Sequence, residues 1–231
     1  MEMFDCSHMT VRRDIALLEQ EGRAHSVTGG VRIASQLHSE PSHQSKAVVE
    51  LPQKQAMAKL AASLLHADMT VYLDAGTSTL EIVPYIKALS GMTVVTNDFG
   101  VAQALMDAPQ VTVIHTGGQL DHSNHSCVGG LAVATLRQVV TDVAFISTSS
   151  WDLRRGITTP SALKVEVKQV AMQSATQVVL VASSSKYGTF SMYKIAGLEQ
   201  FDIIISDAAL APAAADGIRK HGVELLLPAQ S

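Results

Sequence analysis

From Gln53 onward, short runs rich in Val and Ile alternate with stretches whose apolar residues recur at helical spacing. The strand candidates are Thr70–Asp74, Thr93–Thr96, Val111–His115, Asp142–Ser147, Val178–Ala182, Phe201–Ser206 and Val223–Leu227. They are almost continuously hydrophobic, the pattern of strands covered on both faces. Between them the spacing predicts helices near Lys54–Leu65, Thr79–Ala88, Val101–Asp107, Gly130–Val139, Leu163–Ser174 and Ala209–His221. This alternation predicts an α/β fold, a Rossmann-like and mostly parallel sheet with right-handed crossovers.

The beginning of the chain is patterned differently. Ser7 is a good N-cap, and behind it Val11, Ile15 and Leu18 fall at i, i+4 and i+7, one apolar stripe. Thr10, Arg12 and Arg13 lie off that stripe. Gly22 ends the helix, and Arg23–Thr28, Gly29, Gly30 and Val31–Ile33 read as a hairpin. A helix followed by a β-wing is the second half of a winged helix-turn-helix. Arg can pair with guanine O6 and N7, and Thr can contact a phosphate or a thymine methyl. An ordinary surface helix and hairpin accounts for the spacing equally well. Residues 35–52, with Ser35, Ser39, Pro41, Ser42, Ser45 and Pro52, read as a polar linker between a partial head over 1–34 and a larger domain over 53–231.

Composition narrows the setting. A chain of 231 residues suits one large domain and a small appendage, and the scarcity of aromatics fits a helix-covered sheet. Cys6 and Cys127 are too far apart for a disulfide framework or zinc spacing, so a reducing cytoplasm fits. No run of ~18 apolar residues suggests a membrane span. The segment Met1–Met9, with Glu2 and Asp5, lacks the basic-then-apolar order of a signal peptide. The net charge of −4 offers no global indication of a nucleic-acid partner. Within Met1–Ile33, Arg12, Arg13, Arg23 and Arg32 face Glu2, Asp5, Asp14, Glu19 and Glu21, so the head is not basic overall. A small reading surface can still be locally basic on an acidic protein.

The most informative loop is Asp74-Ala75-Gly76-Thr77-Ser78-Thr79. Gly76 permits close backbone approach, the three hydroxyls can donate, and a following helix would point its amides at the same place. That chemistry suits an anion, most naturally a phosphate. It is not a Walker loop, because no Gly-Lys-Ser/Thr follows. A capped strand–helix turn without ligand is the plain alternative. Thr96-Asn97-Asp98 and Thr116-Gly117-Gly118-Gln119 put further polar groups at C-terminal strand ends, where open α/β sheets bind ligands. His115, His122, His125 and Cys127 cluster in sequence but have no regular ligand spacing, so a polar loop is expected there and no metal. Asp74, Asp98, Asp152 and Glu166 are available carboxylates for an isomerase, yet no nucleophile elbow appears.

The run Ser7-His8-Met9-Thr10-Val11-Arg12-Arg13-Asp14, then Leu17-Leu18-Glu19-Gln20-Glu21-Gly22, resembles the recognition-helix signature of DeoR-type repressors, whose wing carries a Gly-Gly pair like Gly29-Gly30. The resemblance implies that Thr10, Arg12 and Arg13 contact operator DNA. The family has further helical residues upstream, so the head is expected to be truncated here, with a true start before Met1. From about Gln53 to Leu227 the chain is similar to the family's sensor domain, whose fold is like that of ribose-5-phosphate isomerase. The matching pieces are Asp74–Thr79, Val94-Val95-Thr96-Asn97, Thr116-Gly117-Gly118, Gly156-Ile157-Thr158-Thr159-Pro160, Val167-Lys168 and Ser185-Lys186-Tyr187-Gly188. The resemblance implies an effector site at Asp74, Gly76, Thr77, Ser78, Thr79, Thr96, Asn97, Gly117, Gly118, Lys168 and Lys186. Lone lysines are more often simply solvated. Where many members carry Gly-Ala-Asp-Gly-Ile, this chain has Ser147-Thr148-Ser149-Ser150-Trp151-Asp152, and Lys164 stands where acidic residues are usual. Both departures favour a phosphorylated sugar acid over a neutral-headed sugar phosphate. The expectation is a cytoplasmic, homo-oligomeric repressor of a sugar or sugar-acid operon without cofactor or catalysis. The alternatives are a stand-alone ligand-binding module and an isomerase-like enzyme.

Overall fold

The computed structural model describes residues 7–20, 23–27 and 29–229. It begins with helix α1 (His8–Gln20) and the antiparallel hairpin β1 (Ala24–Val27) and β2 (Gly30–Ile33), paired from Ala24↔Ile33 to Val27↔Gly30. Ser7 caps α1 as its sequence predicts, its Oγ accepting the Thr10 amide at 3.2 Å. The expected helix stop at Gly22 and the hairpin residue Thr28 lie outside the described residues. Ile15 and Leu18 are half-buried, whereas Val11, at the start of the same stripe, is 38% exposed.

Residues 35–52, expected as a linker, instead carry regular structure laid against the larger unit. Strand β3 (Ser35–Gln36) pairs with Thr189–Phe190, and helix α2 (His43–Val48) follows, capped by Ser42. Helix α3 (Leu51–Ala62) has Pro52 in its first turn, where a missing N–H costs nothing.

The elements then follow in order: β4 (Thr70–Leu73), α4 (Thr77–Leu80), α5 (Val83–Lys87), β5 (Thr93–Thr96), α6 (Phe99–Leu105) and β6 (Thr112–His115). The hairpin β7 (Gln119–Asp121) and β8 (Ser126–Val128) leads to α7 (Gly130–Leu136) and β9 (Thr141–Ser147). Next come β10 (Ser150–Asp152), β11 (Gly156–Thr159), α8 (Ala162–Gln173), β12 (Ala175–Val181), β13 (Thr189–Phe190) and β14 (Tyr193–Ala196). Strand β15 (Ile203–Ile205), helix α9 (Pro212–Lys220) and strand β16 (Glu224–Leu226) complete the set.

Seven strands form one parallel sheet in the order β16-β15-β12-β9-β4-β5-β6. Alternation along each strand sends Tyr72, Ala144, Ile146 and Leu180 into one apolar layer and Val71, Leu73, Val143, Phe145 and Val181 into the other. Each fully buried Val, Leu, Ile or Phe side chain among them contributes roughly 1.5–3 kcal/mol. The single helix expected over Thr79–Ala88 is two. Pro84 has no N–H to offer the carbonyl of Leu80, so the first turn closes and a second helix starts. Beside the main sheet, β10, β11 and β14 form a small antiparallel sheet.

Candidate functional site

Strands β4 and β9 are neighbours, and the chain runs outward from them in opposite directions, to β5 and β6 on one side and to β12, β15 and β16 on the other. Loops leaving the C-terminal ends of such a pair diverge and open a crevice. A cavity of about 30 Å³ lies there. Gly76, Thr77 and Ser78 come to it from β4, and Ser147, Thr148 and Ser149 from β9. Thr158 and Thr159 of β11, Lys164 and Lys168 of α8, Lys186, Glu40, Lys46 and Asn124 complete its polar wall. A larger cleft of about 1000 Å³ beside α5 and α6 is walled by apolar groups such as Val83, Pro84 and Phe99. Convergent polar groups, more than volume, mark the cavity at the sheet reversal as the candidate.

Its electrostatics follow from four lysines and three carboxylates. Lys168 pairs with the buried Asp74 and donates to the Ser147 carbonyl at 2.9 Å. Lys164 Nζ lies 3.1 Å from Glu40 and 3.2 Å from Asp121, and Lys46 Nζ lies 3.2 Å from the same Glu40 oxygen. Burial by itself would raise the Glu40 carboxyl, but Lys164 and Lys46 overcome it and hold the pKa down at about 2. Lys186 is in none of the ion pairs among the described residues. Its ammonium donates to the Thr148 carbonyl at 2.9 Å. Burial, then repulsion from Lys46 and Lys54, pushes it down to about 8. The cavity therefore carries one positive charge beyond its own carboxylates. Ser78 Oγ and Ser149 Oγ, both in its wall, are buried without a hydrogen-bond partner.

Of the residues expected to form the site, Gly76, Thr77, Ser78, Lys168 and Lys186 are brought together around this cavity. The others stand behind it. Asp74 accepts from the Ser147 amide and hydroxyl and from Lys168, so its charge is spent inside the wall. Thr79 donates back to the Asp74 carbonyl at 2.6 Å, and Thr96 to that of Leu73 at 2.7 Å. Asn97 accepts from Tyr72 Oη and the Ala75 amide, while Asp98 accepts from the Gly76 amide at 3.0 Å. Burial raises the Asp98 carboxyl to about 6 against the backbone donors that stabilise its charge. These two side chains hold the β4 loop in place, and no side chain caps the first turn of α4 at Thr77 and Ser78. With a single turn in α4, its first-turn amides matter more than a helix dipole. Gly117 and Gly118 belong to the β6–β7 turn. A Cβ on Gly118 would fall 2.9 Å from the Val128 carbonyl, so close packing rather than ligand contact explains it. Trp151 is a core residue, wholly buried with its indole N–H on the Ser183 carbonyl. His115 stacks on Phe99 and His125 on His43, and among the described residues no group of three or more His, Cys, Asp or Glu is placed to hold a metal ion.

Two family models match the sequence: the DeoR C terminal sensor domain over residues 50–208 and the DeoR-like helix-turn-helix domain over residues 1–37. The chain belongs to the DeoR family. An HTH-type transcriptional regulator of Haemophilus influenzae is 44% identical, over 96% of this chain and 86% of the relative. The HTH-type transcriptional regulator YgbI of Escherichia coli is 43% identical, over 98% and 88%. The HTH-type transcriptional repressor GlcR of Bacillus subtilis is 29% identical, over 99% and 88%. Among solved structures, RipA of Yersinia pestis aligns with a TM-score of 0.47 at 11% identity, covering 73% of this chain and 45% of that one. Ribose 5-phosphate isomerase A of Methanocaldococcus jannaschii aligns with a TM-score of 0.42 at 13% identity, covering 58% and 53%. The protein is thus a DNA-binding transcriptional regulator rather than an enzyme. Of the carboxylates weighed for isomerisation, Asp74 and Asp98 are tied into the loop, Asp152 pairs with Arg155, and Glu166 sits on the surface with Arg137.

In this DeoR-family chain Thr10, Arg12 and Arg13 are exposed on α1, away from the half-buried Ile15 and Leu18. The wing rests on the loop that carries Lys186. His25 of β1 meets the Tyr187 ring edge-on at 5.3 Å, and Arg32 of β2 donates to the Ser185 carbonyl at 3.1 Å. Sequence reasoning missed Glu40, Lys46 and Asn124 in the cavity wall, and it noted Thr148, Ser149, Thr158 and Thr159 within longer segments without naming them as site residues. For Thr158 and Thr159 the matching family segment was a usable signal. Glu40 and Lys46 sit in a polar stretch with no local pattern that marks them.

Proposed function

We propose that this DeoR-family regulator represses a sugar or sugar-acid catabolic operon, and that a phosphorylated sugar-type molecule in the β4/β9 cavity controls its hold on DNA. The observation that carries the ligand reading is the convergence of two unpartnered buried hydroxyls, Ser78 and Ser149, on the same small cavity as the uncompensated Lys186. A phosphate offers several acceptor oxygens and negative charge, which suits two hydroxyl donors, first-turn amides and an ammonium. Thr10, Arg12 and Arg13 are the proposed DNA contacts, reading one half-site per head. Paired half-sites then call for a homo-oligomer.

The wing–loop contact supports a route between the two functions. Lys186 lines the cavity, and its neighbour Tyr187 touches His25 of the wing. An anion that draws Lys186 toward it shifts the platform on which the wing lies, and the two sites are thereby coupled. The test is fluorescence anisotropy of labelled upstream intergenic DNA with the full chain, titrated with glucose 6-phosphate, ribose 5-phosphate and their aldonate counterparts. At least one phosphorylated compound is expected to change DNA affinity, and the Lys186→Met variant is expected to bind DNA but ignore that compound. A phosphate response that survives unchanged in Lys186→Met would refute this site.

A further inference from the structure

The carboxylate of Glu40 does not belong to the sensor elements that make the rest of the cavity. It comes from the segment between the wing and α3, seven residues beyond Ile33 at the end of β2. That segment is fixed at three points. The Leu37 amide donates to Phe190 at 2.7 Å, the His43 amide to Ser123 at 3.0 Å, and Lys46 Nζ to Asn124 Oδ1 at 2.7 Å. Its side toward the cavity carries Glu40, seated between Lys46 and Lys164.

Glu40 and Lys164 are also the two residues common to the inner cavity and an outer cleft of about 450 Å³ lined by His38, Asp121, Ser161 and their neighbours. The pair is a partition. The inner chamber, about 30 Å³, has room for roughly two waters. A phosphorylated sugar is much larger, so it occupies the inner wall and the outer cleft together only when Glu40 has moved.

We infer that Glu40 is a built-in stand-in for a ligand carboxylate: it occupies a second anion seat on Lys46 and Lys164, and a ligand with two anionic ends displaces it and releases the segment that leads to the wing. The inference rests on the phosphate reading of Ser78 and Lys186 and adds a ligand class to it, a phosphorylated sugar acid. With phosphate at the Ser78 end and carboxylate at the Lys46–Lys164 end, the ligand replaces each charge contact that Glu40 gives up. An aldose phosphate offers no such replacement and leaves Lys46 without a carboxylate partner and Lys164 with Asp121 alone. Residues 34–50 then become the mechanical link, because they run without interruption from the head to α3.

The test compares 6-phosphogluconate with glucose 6-phosphate on the full-length wild type, Glu40→Gln and Glu40→Ala, using calorimetry and amide hydrogen exchange, with melting curves to verify folding. In the wild type, 6-phosphogluconate is expected to accelerate exchange across residues 37–48, and glucose 6-phosphate to leave it unchanged. Both variants are expected to exchange fast there without ligand. Both should bind 6-phosphogluconate about tenfold more tightly, since the closed state no longer reduces the competent fraction. If Glu40 acts only through its charge, binding tightens in the variants while ligand leaves wild-type exchange at 37–48 unmoved, and the release mechanism is overturned. If both compounds bind all three proteins alike, the second anion seat is overturned and the phosphate reading stands. If neither compound nor inorganic phosphate binds any of them, both readings fall.

Discussion

In the proposed effector site, Lys186 is the residue through which pH acts most directly on anion binding. Its pKa near 8 belongs to a base whose proton is destabilised by burial, so it is charged below that pH and becomes neutral above it. A bound anion favours the protonated form. Affinity for a phosphorylated ligand is therefore expected to hold steady from pH 6.5 to 7.5 and to fall above about 8 by up to tenfold per pH unit. Calorimetry across that range tests this, and Lys186→Met is expected to remove the decline along with most of the affinity. Glu40 shows the opposite linkage. Its folded pKa of about 2 lies below the ordinary 4.5, so its stabilisation is complete above 4.5 and disappears as pH falls toward 2. Thermal melts at pH 5 and pH 3 are expected to differ less for Glu40→Gln than for the wild type. Gly76 is limited by space rather than by backbone angle. A Cβ there would fall 2.8 Å from Ser147 Oγ and 3.0 Å from its Cβ. Gly76→Ala is expected to cost about 1–3 kcal/mol of stability by overpacking, read from urea denaturation. The Gly76–Ser78 loop was legible because a glycine followed by hydroxyls after an apolar strand is a local pattern. Glu40 was not, because its meaning comes from Lys164, far along the chain on α8.

At the scale of elements, nearly continuous apolar runs located all seven parallel strands, since the inner strands of the sheet are covered on both faces. The antiparallel strands β10 and β11 and the β7–β8 hairpin escaped the same reasoning. They are three or four residues long, and several of their buried positions are polar. Ser150, for example, is wholly buried because its hydroxyl bonds Thr158 at 2.7 Å and Ser191 at 2.9 Å. Hydrophobicity cannot flag a position that is kept dry by a closed hydrogen-bond set. The same small sheet supports the loop carrying Lys186. Trp151 of β10 is the chain's one tryptophan, donates to Ser183 and packs edge-on against Tyr187 at 5.0 Å. Its emission is therefore a direct reporter of that loop. Titration with a phosphorylated ligand is expected to change Trp151 fluorescence in the wild type and not in Lys186→Met. An equal change in both proteins would show that the loop responds to something other than this lysine.

For the molecule as a whole, the question is how a chain with a net charge of −4 holds DNA and lets it go. On the proposed reading the hold is local, on Arg12 and Arg13, both exposed on α1, and so each arginine should count. Arg13→Ala is expected to weaken operator binding by about 1–3 kcal/mol, or to lower the salt slope by about one if its partner is a phosphate, with ligand binding untouched. If an effector releases DNA, the signal passes through contacts between head and sensor, and the wing offers a compact one in His25 against Tyr187. His25 is only 4% exposed, and burial lowers its pKa, so the neutral ring serves as packing rather than as a charge. Tyr187 follows directly on Lys186, so one side chain faces the cavity while the next supports the wing. If this pair transmits the ligand signal, Tyr187→Leu and His25→Ala should each keep DNA affinity and ligand affinity near wild type. They should lose the change that one ligand causes in the other, a coupling of about 1–3 kcal/mol in regulators of this kind. Reciprocity gives the experiment its force: the loss must appear equally when DNA binding is measured with and without ligand and when ligand binding is measured with and without DNA. A variant that weakens DNA binding alone, with the ligand's fold effect intact, would mean that the wing contact only holds the head in place and that the signal travels through the Glu40 segment instead.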